Sequence, residues 1–123
     1  MKARILIIED DEFLRTLYSN LLKDEGFDID TAEDGQIAYE KMQKPGWDLI
    51  LLDIILPKMD GIEIVEKLKI EYPEVLKNKI IFLTNMDKNE MIQKVMHLGF
   101  TYLIKSDLNP EEFIIKIGGF LNP

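Results

Sequence analysis

Asp48-Leu49-Ile50-Leu51-Leu52-Asp53-Ile54-Ile55-Leu56-Pro57-Lys58-Met59-Asp60-Gly61 is an aliphatic run broken by one carboxylate and stopped by proline and glycine. A run apolar at consecutive positions fits a strand buried on both faces, as in a parallel sheet covered by helices on either side. Asp53 must stand where that strand ends for a purpose. A carboxylate among leucines and isoleucines otherwise costs several kcal/mol.

Outward from this strand the same unit repeats. Ile5-Leu6-Ile7-Ile8 is a second short apolar run, followed by Leu14, Leu17, Tyr18, Leu21 and Leu22 at helical spacing, with Gly26 placed to end that helix. Phe27 to Thr31 alternates apolar and polar, which suits an edge strand. Asp34-Gly35 opens a helix carrying Ile37, Ala38, Tyr39 and Met42, closed by Pro45-Gly46. Beyond the central strand, Gly61 to Tyr72 reads as a helix ending before Pro73, and Lys79 to Leu83 as a fourth strand. Asp87-Lys88-Asn89-Glu90 has capping-box chemistry ahead of Met91, Ile92 and Val95. Thr101 to Ile104 is the fifth strand, and Asn109-Pro110 caps a last helix through Phe113, Ile114, Ile117 and Leu121. Five strand–helix units in series imply an α/β, doubly wound, five-stranded parallel sheet with five helices.

The 123 residues, 46% hydrophobic and 31% charged, suit one domain, so residues 1–123 are expected to form a single unit without an output domain. With no cysteine, disulfides, thiolate metal sites and a Cys nucleophile are excluded. No apolar run approaches the ~18 residues that cross a bilayer, and Met1-Lys2-Ala3-Arg4 leads into too short a run for a signal peptide. A cytoplasmic location without membrane insertion is expected. Fifteen Lys and Arg against 23 Asp and Glu give a net charge of −8, which disfavours direct nucleic-acid contact and favours cations or basic protein surfaces.

In such a sheet, ligand chemistry gathers at the carboxyl ends of the strands. Glu9-Asp10-Asp11-Glu12 follows the first strand, Asp53 ends the third, Thr84 the fourth and Lys105 the fifth. Taken alone, Glu9 to Glu12 reads as a helix N-terminus complementing the helix dipole, Thr84 as a turn residue and Lys105 as a solvated strand end. Taken together, they place carboxylates, a hydroxyl and an ammonium on one rim. Two carboxylates ~4 Å apart repel by about 4 kcal/mol at an effective dielectric of 20, so the cluster needs a cation or raised pKa values. Hard oxygen ligands without sulfur or clustered histidine point to Mg²⁺. His97, on the fourth helix away from the acids, reads as a surface residue, and Met86, Met91 and Met96 as packing.

These residues resemble the receiver domain of bacterial two-component response regulators, chemotaxis-Y-like, over essentially the whole chain. The resemblance rests on Ile7 to Glu12, on Ala32-Glu33-Asp34-Gly35, on Leu51 to Gly61, on Ile81-Phe82-Leu83-Thr84 and on Tyr102-Leu103-Ile104-Lys105. It implies a flavodoxin-like fold with strand order 2-1-3-4-5. Asp53 is implied as the acceptor of a phosphoryl group from a phosphohistidine on a sensor histidine kinase or histidine phosphotransfer protein. The implied Mg²⁺ set is Asp10, Asp53 and the backbone carbonyl of Ile55, with Glu9 acting through bound water. Lys105 would pair with the phosphoryl oxygens, and the Thr84 hydroxyl would move to bond one of them while Tyr102 rotates inward. The implied output is a switched surface of the fourth helix, fifth strand and fifth helix, read by a downstream protein target. On this reading the chain is a phosphoacceptor that assists its own phosphorylation and dephosphorylation rather than an enzyme.

The chain departs from the family pattern at Ser106, usually proline, at Asn85, usually a smaller residue, and in a shorter Gly99 to Tyr102 segment. Other functions fit these residues less well. An aspartyl-nucleophile phosphatase of the haloacid-dehalogenase type needs an acid two residues after its nucleophile, where this chain has Ile55. A flavin carrier needs a hydroxyl- and glycine-rich loop after the first strand, where this chain has four acids. A phosphate-independent interaction module would keep the fold without needing Asp10, Asp53, Thr84 and Lys105 together.

Overall fold

The computed structural model describes residues 2–85 and 89–122. The Asp87-Lys88 part of the expected capping box and Met86 lie outside the described residues. In chain order the strands are β1 (Arg4–Ile8), β2 (Asp28–Ala32), β3 (Leu49–Asp53), β4 (Ile80–Thr84) and β5 (Thr101–Ile104). The helices are α1 (Glu12–Asp24), α2 (Gly35–Met42), α3 (Gly61–Glu71), α4 (Asn89–His97) and α5 (Pro110–Leu121). All strand pairings are parallel and the order is β2-β1-β3-β4-β5, so the doubly wound, flavodoxin-like arrangement expected from the sequence is present. The alternating strand β2 lies at an edge, as its pattern implied. Its bounds are shifted by one residue, because Phe27 donates its N–H to the Leu22 carbonyl and so belongs to the end of α1.

Side-chain alternation along the strands sorts the apolar residues into two cores. Leu6, Ile8, Ile50, Leu52 and Phe82 face α2, α3 and α4, meeting Ala38, Met42, Val65, Leu68 and Val95. Ile5, Ile7, Leu49, Leu51, Ile81 and Leu83 face α1 and α5, meeting Tyr18, Leu22, Phe113 and Ile117. Tyr18 and Phe113 stack with ring centroids 4.6 Å apart, which joins α1 to α5 across that face. Each fully buried Leu or Ile contributes about 1.5–3 kcal/mol of transfer free energy, so the strands anchor the rim loops on a rigid platform.

Polar side chains start the helices where the loops leave the sheet. Asp11, Asp34 and Asp60 accept the backbone N–H of Leu14, Ile37 and Glu63, capping α1, α2 and α3. Asn109 and Glu112 form a reciprocal capping box on α5 behind Pro110. Two 3₁₀ turns escaped the periodicity reading, at Pro73–Lys77 and at Lys105–Asp107. Both are too short to show a period.

The loop after β3 is pressed onto the start of α2. The Gly35 N–H donates to the Pro57 carbonyl at 3.0 Å, and Lys58 Nζ lies 3.5 Å from an Asp34 carboxylate oxygen. Lys58 itself is held at φ 70°, a left-handed conformation unusual for a residue with a side chain. A Cβ on Gly35 would fall 1.8 Å from the Met59 carbonyl oxygen, and one on Gly61 would fall 2.5 Å from the Asp53 carbonyl oxygen. Gly118, inside α5, faces open space. Gly35→Ala is therefore expected to destabilise the fold by at least about 1–3 kcal/mol through forced backbone movement. Gly118→Ala should stabilise it by about 0.5–1 kcal/mol through helix propensity. Urea unfolding of both variants beside the parent checks the opposite signs.

Candidate functional site

Strand register brings the rim residues together. Ile8 pairs with Leu52, so Glu9 and Asp53 emerge side by side from β1 and β3. Asp53 in turn pairs with Leu83, and Thr84 with Ile104, which sets Lys105 just past the end of β5. By alternation Glu9, Asp53 and Lys105 follow the residues that face α1 and α5. Thr84 follows Phe82, toward α4.

The Lys105 ammonium sits between the two acids. Its Nζ is 2.6 Å from Glu9 Oε1 and 2.8 Å from Asp53 Oδ2, and all three side chains are largely shielded from solvent. Glu9 is pushed up to about 7 by burial first and the Asp53 charge second, against the pull of Lys105. Asp53 is raised as well, by burial, with Lys105 opposing. Burial works against the charged lysine, yet the charges and hydrogen bonds of Asp53 and Glu9 outweigh it and hold the ammonium above its ordinary value. One ammonium thus leaves an excess negative charge on a buried pair of carboxylates.

Asp10 completes the acidic cluster from the exposed side. One carboxylate oxygen from each of Glu9, Asp10 and Asp53 lies within 4.8 Å of the others. This all-oxygen donor set with surplus negative charge suits a hard divalent cation, Mg²⁺ or Ca²⁺, over a thiophilic metal. After Asp53, the Ile54 carbonyl is taken by the Gly61 N–H at 2.7 Å, whereas among the described residues no backbone N–H donates to the Ile55 carbonyl. Ile55 itself is 46% exposed.

The acidic run therefore divides its labour. Glu9 and Asp10 join the cluster, Asp11 caps α1, and Glu12 lies in the first helical turn beside the positive end of the dipole. Thr84 is buried, and its hydroxyl donates to the Asn85 carbonyl at 3.1 Å rather than to Asp53. Tyr102, like Phe100, is half-buried against the core that contains Phe82. Asn85 and Ser106 are exposed beside the rim, and His97 is exposed on α4.

Two features were missed from sequence. The direct Lys105–Glu9 bond spans most of the chain, and only the strand register reveals it. Arg15 stands in no motif or apolar period, yet its side chain reaches back to the carbonyls of Glu9 and Asp10. Its position one helical turn after the Asp11 cap was the available signal.

Comparisons with known proteins point to one family and one fold. The sequence matches the family described as response regulator receiver domain over residues 5–118. It is 34% identical over 122 residues to the chemotaxis protein CheY of Treponema pallidum, covering 96% of this chain and 82% of that protein. It is also 34% identical to the alkaline phosphatase synthesis transcriptional regulatory protein PhoP of Bacillus subtilis, where it spans 49% of the relative's length. The solved structure of Vibrio cholerae chemotaxis response regulator CheY4 superposes with a TM-score of 0.85 at 30% identity, covering 98% of this chain and all of that one.

The raised carboxylates have a signed consequence. A carboxylate whose folded pKa exceeds its unfolded value binds protons on folding, so its stabilising contribution is complete below the unfolded value, 4.5 for Glu9, and is lost as pH rises through about 7. Without divalent metal, the melting temperature should fall between about pH 5 and about pH 8 relative to Asp53→Asn, which leaves one ammonium against one carboxylate. That variant should melt above the parent at the alkaline end, with the gap closing on acidification. Calorimetry in EDTA across this range checks it, and a gap that widens toward acid would contradict the raised values.

Proposed function

This chain belongs to the response regulator receiver domain family, and from that premise we propose that Asp53 takes a phosphoryl group from a phosphohistidine donor in two-component signalling. The observation that carries the reading is the Lys105 ammonium bridging Asp53 and Glu9 beside Asp10. The Lys105 ammonium relieves that crowding only in part, and the incoming phosphoryl group brings more negative charge to the same place.

Asp53 is the nucleophile. One of its carboxylate oxygens attacks phosphorus as the bond from phosphorus to the donor imidazole nitrogen breaks, and the imidazole leaves with the electron pair and takes a proton. Phosphoryl transfer asks a protein for positioning and charge stabilisation more than for covalent chemistry. Asp10, Asp53 and the Ile55 carbonyl would hold Mg²⁺, with Glu9 acting through water, and the ion would supply charge neutralisation. Lys105 turns its ammonium from the free Asp53 carboxylate to the phosphoryl oxygens, a short movement for a flexible side chain with three donors. The chain acts as a phosphoacceptor that assists its own reaction.

Thr84 then gives the switch. Its hydroxyl exchanges the Asn85 carbonyl for a phosphoryl oxygen, an interaction available only after transfer. That differential contact biases the surface of α4, β5 and α5, with Tyr102 turning inward against the Phe82 core. Expected partners are a sensor histidine kinase or histidine phosphotransfer protein and a downstream protein target in the cytoplasm. The net charge of −8 argues for a basic protein surface on that target over nucleic acid.

Incubation with phosphoramidate and Mg²⁺ should add one phosphoryl group by intact mass. The adduct should vanish in Asp53→Asn and in EDTA. An adduct that persists in Asp53→Asn would place the acceptor elsewhere. Thr84→Ala should still form the adduct but lose the phosphorylation-dependent shift of the Tyr102 amide in NMR spectra; a shift as large as the parent's would remove Thr84 from the switch.

A further inference from the structure

Arg15 lies in the second turn of α1, and its backbone N–H donates to the Asp11 carbonyl at 2.9 Å. Helical side chains lean toward the N-terminus of their own helix, so the guanidinium reaches back over the first turn to the loop after β1. There a single nitrogen, Nη1, donates to the Glu9 carbonyl at 3.0 Å and to the Asp10 carbonyl at 3.2 Å. The other terminal nitrogen, Nη2, lies 3.9 Å from a Glu33 carboxylate that is mostly exposed, a weak contact. The Arg15 side chain is itself only 18% exposed. Its hydrogen bonds go to carbonyls, whereas Lys105 is the cation bonded to the Glu9 and Asp53 carboxylates.

Building on the proposed Mg²⁺-dependent phosphoacceptor, we infer that Arg15 is a positioning residue for the metal site: by clamping consecutive carbonyls of Glu9 and Asp10 it holds both acids aimed at Asp53. The loop needs such a clamp. Glu9, Asp10 and Asp53 repel one another without a metal, and Asp10 is exposed with no strand partner to hold it. The Glu9 N–H continues the sheet by donating to the Ala32 carbonyl at 3.0 Å, and Arg15 takes up the carbonyl side of the same residue. Loop order supplied in advance is entropy the metal does not have to remove on binding.

The sign of the effect separates this role from a plain charge effect. Arg15 is a cation near a cation site, so through charge alone its removal should tighten Mg²⁺ binding. Loss of a clamp should weaken it. Groups that orient metal ligands from outside typically change metal affinity by about 10–100-fold.

Mg²⁺ binding to the full chain is measured by isothermal titration calorimetry for the parent, Arg15→Gln, Arg15→Lys and Glu33→Gln. Trp47 is a poor optical reporter, since it is buried before the start of β3, at the opposite end of the strand from Asp53. The expected result is a Kd raised about tenfold or more in Arg15→Gln. Arg15→Lys should be intermediate because its shorter cation reaches fewer carbonyls, and Glu33→Gln should match the parent. Melting in EDTA confirms that each variant is folded, and Arg15→Lys carries the test if Arg15→Gln is not. Parent-like or tighter binding in the folded Arg15 variants overturns the positioning role and leaves the phosphoacceptor reading intact. A parent that binds no Mg²⁺ overturns the metal reading and this inference with it.

Discussion

Two buried carboxylates sharing one ammonium are the constraint around which the rest of the molecule is arranged. At about 4 Å and an effective dielectric of 20, like charges repel by about 4 kcal/mol, and burial adds a further penalty to each ion. Lys105 at 2.6 and 2.8 Å offsets part of this and leaves the remainder as raised carboxylate pKa values. A fold can hold such a group only on a platform that does not yield. The β1 and β3 strands provide it, with Ile5 to Ile8 and Leu49 to Leu52 all fully buried. Acids that would be ruinous within those strands are tolerable at their carboxyl ends, Asp53 as the last residue of β3 and Glu9 one residue past β1.

Strand alternation also separates two tasks. Glu9, Asp53 and Lys105 continue the alternation that faces α1 and α5, while Thr84 continues that of Phe82, whose neighbour across β5 is Tyr102. Charge therefore gathers on one side of the sheet edge, and the hydroxyl and aromatic pair stand on the side of α4. On the proposed reading, a signal that begins at Asp53 would cross the sheet at Thr84, on the neighbouring strand and the opposite face. The path is short, because β3 and β4 are adjacent and Asp53 pairs with Leu83, the residue before Thr84.

The parts of this arrangement written in local pattern were legible in sequence, and the parts made by register and close approach were not. The aliphatic run broken only by Asp53 exposed β3, the alternation of Phe27 to Thr31 exposed an edge strand, and Asn109-Pro110 exposed the start of α5. Asp53, Asp10, Thr84 and Lys105 were visible as polar residues at strand ends. The bond between Lys105 and Glu9 was not, since it depends on which strands are neighbours. The seat of the β3–α3 loop on Gly35 and the left-handed Lys58 were equally hidden, because both arise from contact between segments that share no period. Arg15 lay within a well-read helix, but helical spacing says which face a residue occupies and nothing about how far back its side chain reaches.

The two cations near the acids are not interchangeable. A lysine ammonium is a compact charge on a flexible stem with donors in three directions, suited to leaving one oxygen for another as charge arrives. A guanidinium is planar and permanently charged, and it stays where its donors match fixed acceptors. Lys105 meets carboxylates whose charge changes during the proposed reaction. Arg15 meets backbone carbonyls whose charge does not. Exchanging the residue types would give the reacting centre a rigid cation and the loop a mobile one. The division between a movable charge and a fixed brace thus follows from what each side chain touches, with the sheet register deciding which of them reaches Asp53.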